Sequence, residues 1–203
     1  MEITLQNTGK RFNREWIFRH CSVNFSTTKK YAITGSNGSG KSTLLQVIAG
    51  ALMFNEGTIT VKQDQAIIEN ELFFKNISIA APYLELIEEM TAKEFLQFHH
   101  SFKPLTTGYQ EALQIVQLEK ASNKQIRYFS SGMKQRLKLA QAFLSKAPVL
   151  LLDEPTTNLD ADGIALYHSL IQNYTEEKLV IISSNDKQEY AFCDEVIAIG
   201  NYK

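Results

Sequence analysis

The segment Gly35-Ser36-Asn37-Gly38-Ser39-Gly40-Lys41-Ser42 sets three glycines, three serines and a lysine within eight consecutive positions. Its spacing is G-x-x-x-x-G-K-[ST], which arises by chance in about a percent of chains this long or fewer. Glycines let backbone N–H groups converge on phosphate oxygens, and a helix starting at the lysine adds a favourable dipole. Lys41 is expected to reach β- and γ-phosphates, and the Ser42 hydroxyl to hold Mg²⁺. A glycine turn that merely caps a helix would explain neither side chain. The pattern points to a bound nucleoside triphosphate.

Two further segments carry chemistry. Val149-Leu150-Leu151-Leu152 is an apolar run that ends in Asp153-Glu154-Pro155. A buried parallel strand is apolar throughout, and α/β folds place ligands at its carboxyl end. Asp153 there can hold Mg²⁺ through water, and Glu154 can act as general base on an attacking water. Phe129-Ser130-Ser131-Gly132-Met133 opens a helix, with Ser130 a natural N-cap. Beyond capping, it offers a second anion-binding helix N-terminus. Since the Lys41 loop already supplies one cradle, dimerisation accounts for the second: each chain's Ser130–Gly132 would cap the nucleotide held by its partner.

Together these segments resemble the ATP-binding cassette (ABC) ATPases, specifically the nucleotide-binding subunit of an ABC transporter. Gly35–Ser42 looks like their Walker A motif, Leu150–Glu154 like Walker B, Phe129–Met133 like the signature, and Thr157–Asp160 like the D-loop. The resemblance runs through nearly the whole chain in family order. It implies ATP and Mg²⁺ as ligands, with ATP held by Phe12, Gly35, Ser36, Asn37, Gly38, Ser39, Gly40, Lys41, Ser42 and Thr43. It implies Mg²⁺ at Ser42 and Asp153, and catalysis by Glu154, Lys41 and Asn185. Ser130, Ser131, Gly132 and Met133 would meet the partner chain's ATP, and Asp160 would sit at the dimer interface. Phe12 falls where the family stacks an aromatic on adenine, with Trp16 a weaker candidate; ordinary core packing of Phe12 stands equally open.

Three positions depart from the family pattern. Ser131 replaces the first signature glycine. Pro82 stands where the Q-loop glutamine is expected, nine residues before Thr91, and offers no side-chain oxygen. Asn185, before Asp186, takes the place of the switch histidine; its amide can hydrogen-bond a γ-phosphate but carries neither proton nor charge. By position His20, His99, His100 and His168 cannot take over, and adjacent His99 and His100 read as partly exposed helix residues. Losing one preorganised donor costs about 10²–10³ in rate, so a slow ATPase is expected.

The elements that position these residues alternate between strand and helix. Expected strands are Glu2–Gln6, about Trp16–Phe25, Tyr31–Thr34, Gly57–Val61, Ile77–Ala80, Val149–Leu152, Leu179–Ser183 and Glu195–Ile199. Expected helices are Ser42–Ala49 ending at Gly50, Ser131–Ser145, Asp162–Asn173 and Lys187–Phe192, with a mostly helical texture from about Tyr83 to Ser145. The fold class is α/β: a P-loop NTPase core with a mostly parallel sheet, an N-terminal antiparallel β region and a helical insertion. One domain is expected over 1–203, with a core of about 1–81 and 147–203 and a helical subdomain of about 82–146.

The 203 residues, 44% hydrophobic and 21% charged, fit a globular chain and exclude disorder or a fibrous repeat. A net charge of −1 gives no field for nucleic acid, so a translation- or repair-associated role is set aside. Cys21 and Cys193 lie far apart and read as small buried hydrophobes of a reducing compartment. Met1–Leu5 lacks a basic region and a long apolar stretch, so no signal peptide is expected. The partners implied are a second cassette, identical or paired, and an integral-membrane permease that would hold the chain on the cytoplasmic face of the membrane. The Ser130–Arg136 wording leans towards exporters. The competing reading is a nucleotide-gated regulatory module with little or no hydrolysis.

Overall fold

A computed structural model describes residues 1–64, 66–69 and 73–203. Continuous apolar runs form strands buried on both faces. A five-stranded parallel sheet runs in the order β6 (Ile77–Ala80), β7 (Val149–Asp153), β8 (Leu179–Ser183), β3 (Lys30–Thr34), β9 (Glu195–Ala198), with the edge strand β9 burying only Ile197. Every residue of β7 and β8 is buried. Successive side chains point to opposite faces, and the core divides accordingly. Val149 and Leu151 pack with the α1 side (Lys41–Ile48), whereas Leu150 and Leu152 pack with the helices of the insertion. The second sheet is antiparallel, in the order β2 (Glu15–Ser26), β1 (Glu2–Phe12), β4 (Glu56–Gln63), β5 (Ala66–Ile67). These sheets and helices form the expected P-loop NTPase fold.

Among the described residues the other α-helices are α2 (Ala92–Phe102), α3 (Tyr109–Ile115), α4 (Ser131–Phe143), α5 (Ala161–Tyr174) and α6 (Lys187–Tyr190). Four of these starts are capped by a side chain: Thr91 accepts from Glu94 N–H, Ser130 from Met133, Asp160 from Gly163 and Asp186 from Gln188. Among the described residues no helix is long and apolar enough to cross a membrane.

Several boundaries differ from expectation. β1 runs on to Phe12 rather than stopping at Gln6, because the ladder shifts register between Leu5 and Thr8 and the break in alternation hides the rest of the strand. α4 ends at Phe143, two residues early, where Ser145 bridges to Leu105. α6 ends at Tyr190 rather than Phe192. His99 and His100 lie on α2 as partly exposed residues, as expected, and the Nε2 of His99 is buried and unpartnered. Cys21 is buried and Cys193 half-buried, and burial pushes both thiols up to about 12, so neither is a thiolate at neutral pH.

Candidate functional site

Parallel register brings the carboxyl ends of the central strands level. Ala80 pairs with Leu152, Asp153 with Ser183, and Ile33 with Ser183. The loops that leave these ends therefore share one edge of the sheet. From β3 the chain passes through Gly35–Gly40 into α1, with Gly38 at φ 75° and Gly40, the N-cap, at φ 102°. Lys41 is buried, and its Nζ donates to the carbonyls of Gly35 at 2.9 Å and Ser36 at 3.3 Å. The ammonium thus lies folded along the loop, against its own carbonyls.

A cavity of about 210 Å³ opens over this loop, lined by Asn37–Thr43, Ile17 and Glu154. A second, of about 310 Å³, is lined by Asn37 and Glu154 again, together with Thr156, Thr157, Asn185 and Glu189. Asn185 Nδ2 donates to Asn37 Oδ1 at 2.7 Å, so the switch position touches the glycine loop directly. Loop, Glu154 and Asn185 are brought together. Ser130, Ser131, Gly132 and Met133 are not; they line a separate cavity of about 300 Å³ with Arg136, Asn158 and Asp160.

Asp153 is 2% exposed and its Oδ1 has no hydrogen-bond partner. A buried, unpartnered carboxylate oxygen at the end of β7 suits a cation, and Ser42 on the first turn of α1 adds a hydroxyl. These residues fit Mg²⁺. Glu154 adopts φ 42°, a left-handed conformation that costs a non-glycine residue of order 1 kcal/mol or more, and its N–H donates to Ser183 O at 2.8 Å.

Pro82 is exposed, and Lys138 Nζ donates to its carbonyl at 3.0 Å and to that of Ala81 at 3.2 Å. The segment where a glutamine was expected is therefore tied to α4. Next to it the Tyr83 phenol is pushed up to about 12, by burial first and then by the Asp153 carboxylate, although the residue as a whole is 42% exposed. Asp160 caps α5 and pairs with Arg136 Nη2 at 3.1 Å; Gly163 N–H first, then Arg136, holds its carboxyl below the usual range. Phe12 is 48% exposed under the Lys10 ammonium, 4.9 Å from the ring centroid, which removes the core-packing reading. Trp16 is half-buried between Arg11 and Arg19.

Sequence reasoning missed Ile17, Tyr83, Gln135 and Glu189. Only Gln135 carries a local signal: it stands at helical spacing from the buried Leu139 and Ala142, on the inward face of α4.

A family model described as ABC transporter matches residues 18–157. An uncharacterized ABC transporter ATP-binding protein of Bacillus subtilis is 32% identical over 95% of this chain and 89% of its own length. A cytochrome c biogenesis ATP-binding export protein of Agrobacterium fabrum is 31% identical over 91% of this chain and 88% of its own. Among solved structures, a dimeric ATP-binding cassette in a post-hydrolysis state with ADP and Pi superposes with a TM-score of 0.83 at 23% identity, covering 97% of this chain and 93% of that one.

Proposed function

The chain belongs to the ABC transporter ATP-binding family, and from that premise we propose that it hydrolyses MgATP as a head-to-tail dimer to drive a separate transmembrane subunit, in the export direction. The observation that carries this reading is the convergence of the Gly35–Thr43 loop, Glu154 and Asn185 on two cavities that share Asn37 and Glu154. The Ser130–Met133 cavity lies apart, as a surface meant for the partner's nucleotide would. The Agrobacterium relative is an export protein by name, which supports the export direction.

In the mechanism proposed, loop N–H groups and Lys41 hold the β- and γ-phosphates. Ser42 and Asp153 hold Mg²⁺, which when bound neutralises charge on the phosphate oxygens. Glu154 takes a proton from the attacking water; the new P–O bond forms as the bond to the β–γ bridging oxygen breaks, leaving ADP and phosphate. Asn185 donates its amide to the γ-phosphate but moves no proton. Pro82 cannot supply the Q-loop amide, so turnover is slow. The core, about 1–81 and 147–203, handles nucleotide. The helical part, about 82–146, meets the membrane subunit along Tyr83–Phe102, where a groove of about 530 Å³ runs between Pro82–Glu89 and Lys134–Lys138.

ATP hydrolysis by the purified protein, beside Glu154→Gln and Asn185→His, tests the reading. Wild type is expected to turn over slowly, Glu154→Gln to fall by about 10² or more, and Asn185→His to run faster. Equal inertness of wild type and Glu154→Gln, with ATP-driven dimerisation intact and the membrane partner present, would favour the nucleotide-gated module that Pro82 and Asn185 also suit.

A further inference from the structure

The turn that carries Glu154 is held from two sides. Gln135 of α4, 3% exposed, donates Nε2 to the Pro155 carbonyl at 2.7 Å. Glu189 of α6, also 3% exposed, accepts the Thr156 N–H at 2.7 Å and the Thr156 hydroxyl on the same oxygen, Oε1. Neither contact is incidental to a loose surface, because both polar groups are buried and each would be left unpaired without its partner.

The α4 contact belongs to a longer seam. A Cβ built on Gly132 would stand 3.1 Å from Asn158 O, Gln135 holds Pro155, and Arg136 Nη2 meets Asp160 at 3.1 Å. Residues 132, 135 and 136 share one side of α4, so the segment Pro155–Asp160 lies along the first turns of that helix. Those turns begin at Ser130–Met133. Glu189 ties the same segment to the helix that follows Asn185, and Tyr167 fixes Glu189 by donating its hydroxyl to the backbone carbonyl at 2.7 Å.

Taking the dimeric reading above as its basis, we infer that Gln135 and Glu189 are positioning residues for Glu154, and that Gln135 transmits the partner's nucleotide, seated at Ser130–Met133, to this chain's own catalytic turn. Glu154 already sits at φ 42°, a conformation that persists only where its surroundings impose it. A shift of α4 that pulls on Pro155 therefore changes where the carboxylate points. Each chain then links its two half-sites through one buried hydrogen bond, and the two ATP sites of the dimer are coupled.

The test compares MgATP hydrolysis, equilibrium ATP binding and thermal midpoint for wild type, Gln135→Ala, Gln135→Met, Glu189→Ala and Glu189→Gln. Misplacing a reacting group by about 1 Å costs about 10² in rate, so kcat is expected to fall by about tenfold or more in both Gln135 variants and in Glu189→Ala. The ATP Kd stays within about twofold of wild type. Glu189→Gln keeps the accepting oxygen and most of kcat. The Hill coefficient drops towards one in the Gln135 variants and holds in Glu189→Gln. Gln135→Met fills the same space without the donor, and so reads the contact even if Gln135→Ala does not fold. Unchanged kcat and Hill coefficient would overturn the inference, as would rate and ATP affinity falling together. A wild type without turnover removes the hydrolysis reading alone. Amide exchange at Thr156–Asn158 in the ATP-bound protein then decides: about tenfold faster in Gln135→Met supports the contact, and no change overturns it.

Discussion

At the scale of single residues, Gly40 shows how little room the phosphate loop leaves. It sits at φ 102°, and a Cβ there would stand 2.4 Å from Ile17 Cγ2. Gly38, at φ 75°, has nothing within 4 Å of its Cβ position. Gly40→Ala is therefore expected to weaken MgATP binding by about tenfold or more, since it meets both backbone strain and a clash, while Gly38→Ala meets strain alone and loses less. Equilibrium titration of the two variants checks this; equal losses would mean that Ile17 yields freely. The loop was legible because its chemistry is compressed into eight neighbouring residues. Ile17, on a different strand, gave no sign of its place above it.

At the scale of elements, α2 stands out for what it turns inward. Burial first, and then the Lys103 ammonium, pushes the His99 imidazole down to about 4 from its ordinary 6.5. The unfolded chain binds that proton first, so His99 subtracts stability as pH falls from 6.5 towards 4 and contributes nothing above 6.5. His99→Leu is expected to shrink the loss of thermal midpoint between pH 7 and pH 5. An unchanged loss would assign that acid sensitivity elsewhere. Helix identity was readable from spacing near Phe95 and Leu96, whereas the side of α2 that His99 faces depends on what packs against it. The same holds for β1, whose second half is hidden in sequence by a register shift and appears only through pairing with β2 and β4.

At the scale of the molecule, one chain holds a nucleotide loop with its carboxylates in one place and a signature helix in another. On the head-to-tail reading proposed above, each is half of a site. Glu154→Gln protein is expected to run as a monomer without nucleotide and as a dimer with MgATP, read by light scattering. A monomer at saturating MgATP would sink the head-to-tail reading. Replacing Tyr83–Phe102 is expected to uncouple transport while sparing ATP binding; transport that survives would move the membrane contact away from this segment.

Sequence alone determined the fold class and the family, because the glycine loop, the Asp153-Glu154 strand end and the Ser130–Met133 helix start are local patterns whose chemistry is set by residues a few positions apart. Tertiary structure decided how those patterns meet. Asn185 reaches Asn37 across 148 positions, Glu189 reaches Thr156 across 33, and Gln135 reaches Pro155 across 20. Contacts of that span depend on strand order, register and the facing of buried helices, and no local spacing encodes them. Glu154, the proposed base, could be read from one stretch of sequence; the contacts to the turn after it come from two helices that the chain brings there only when folded.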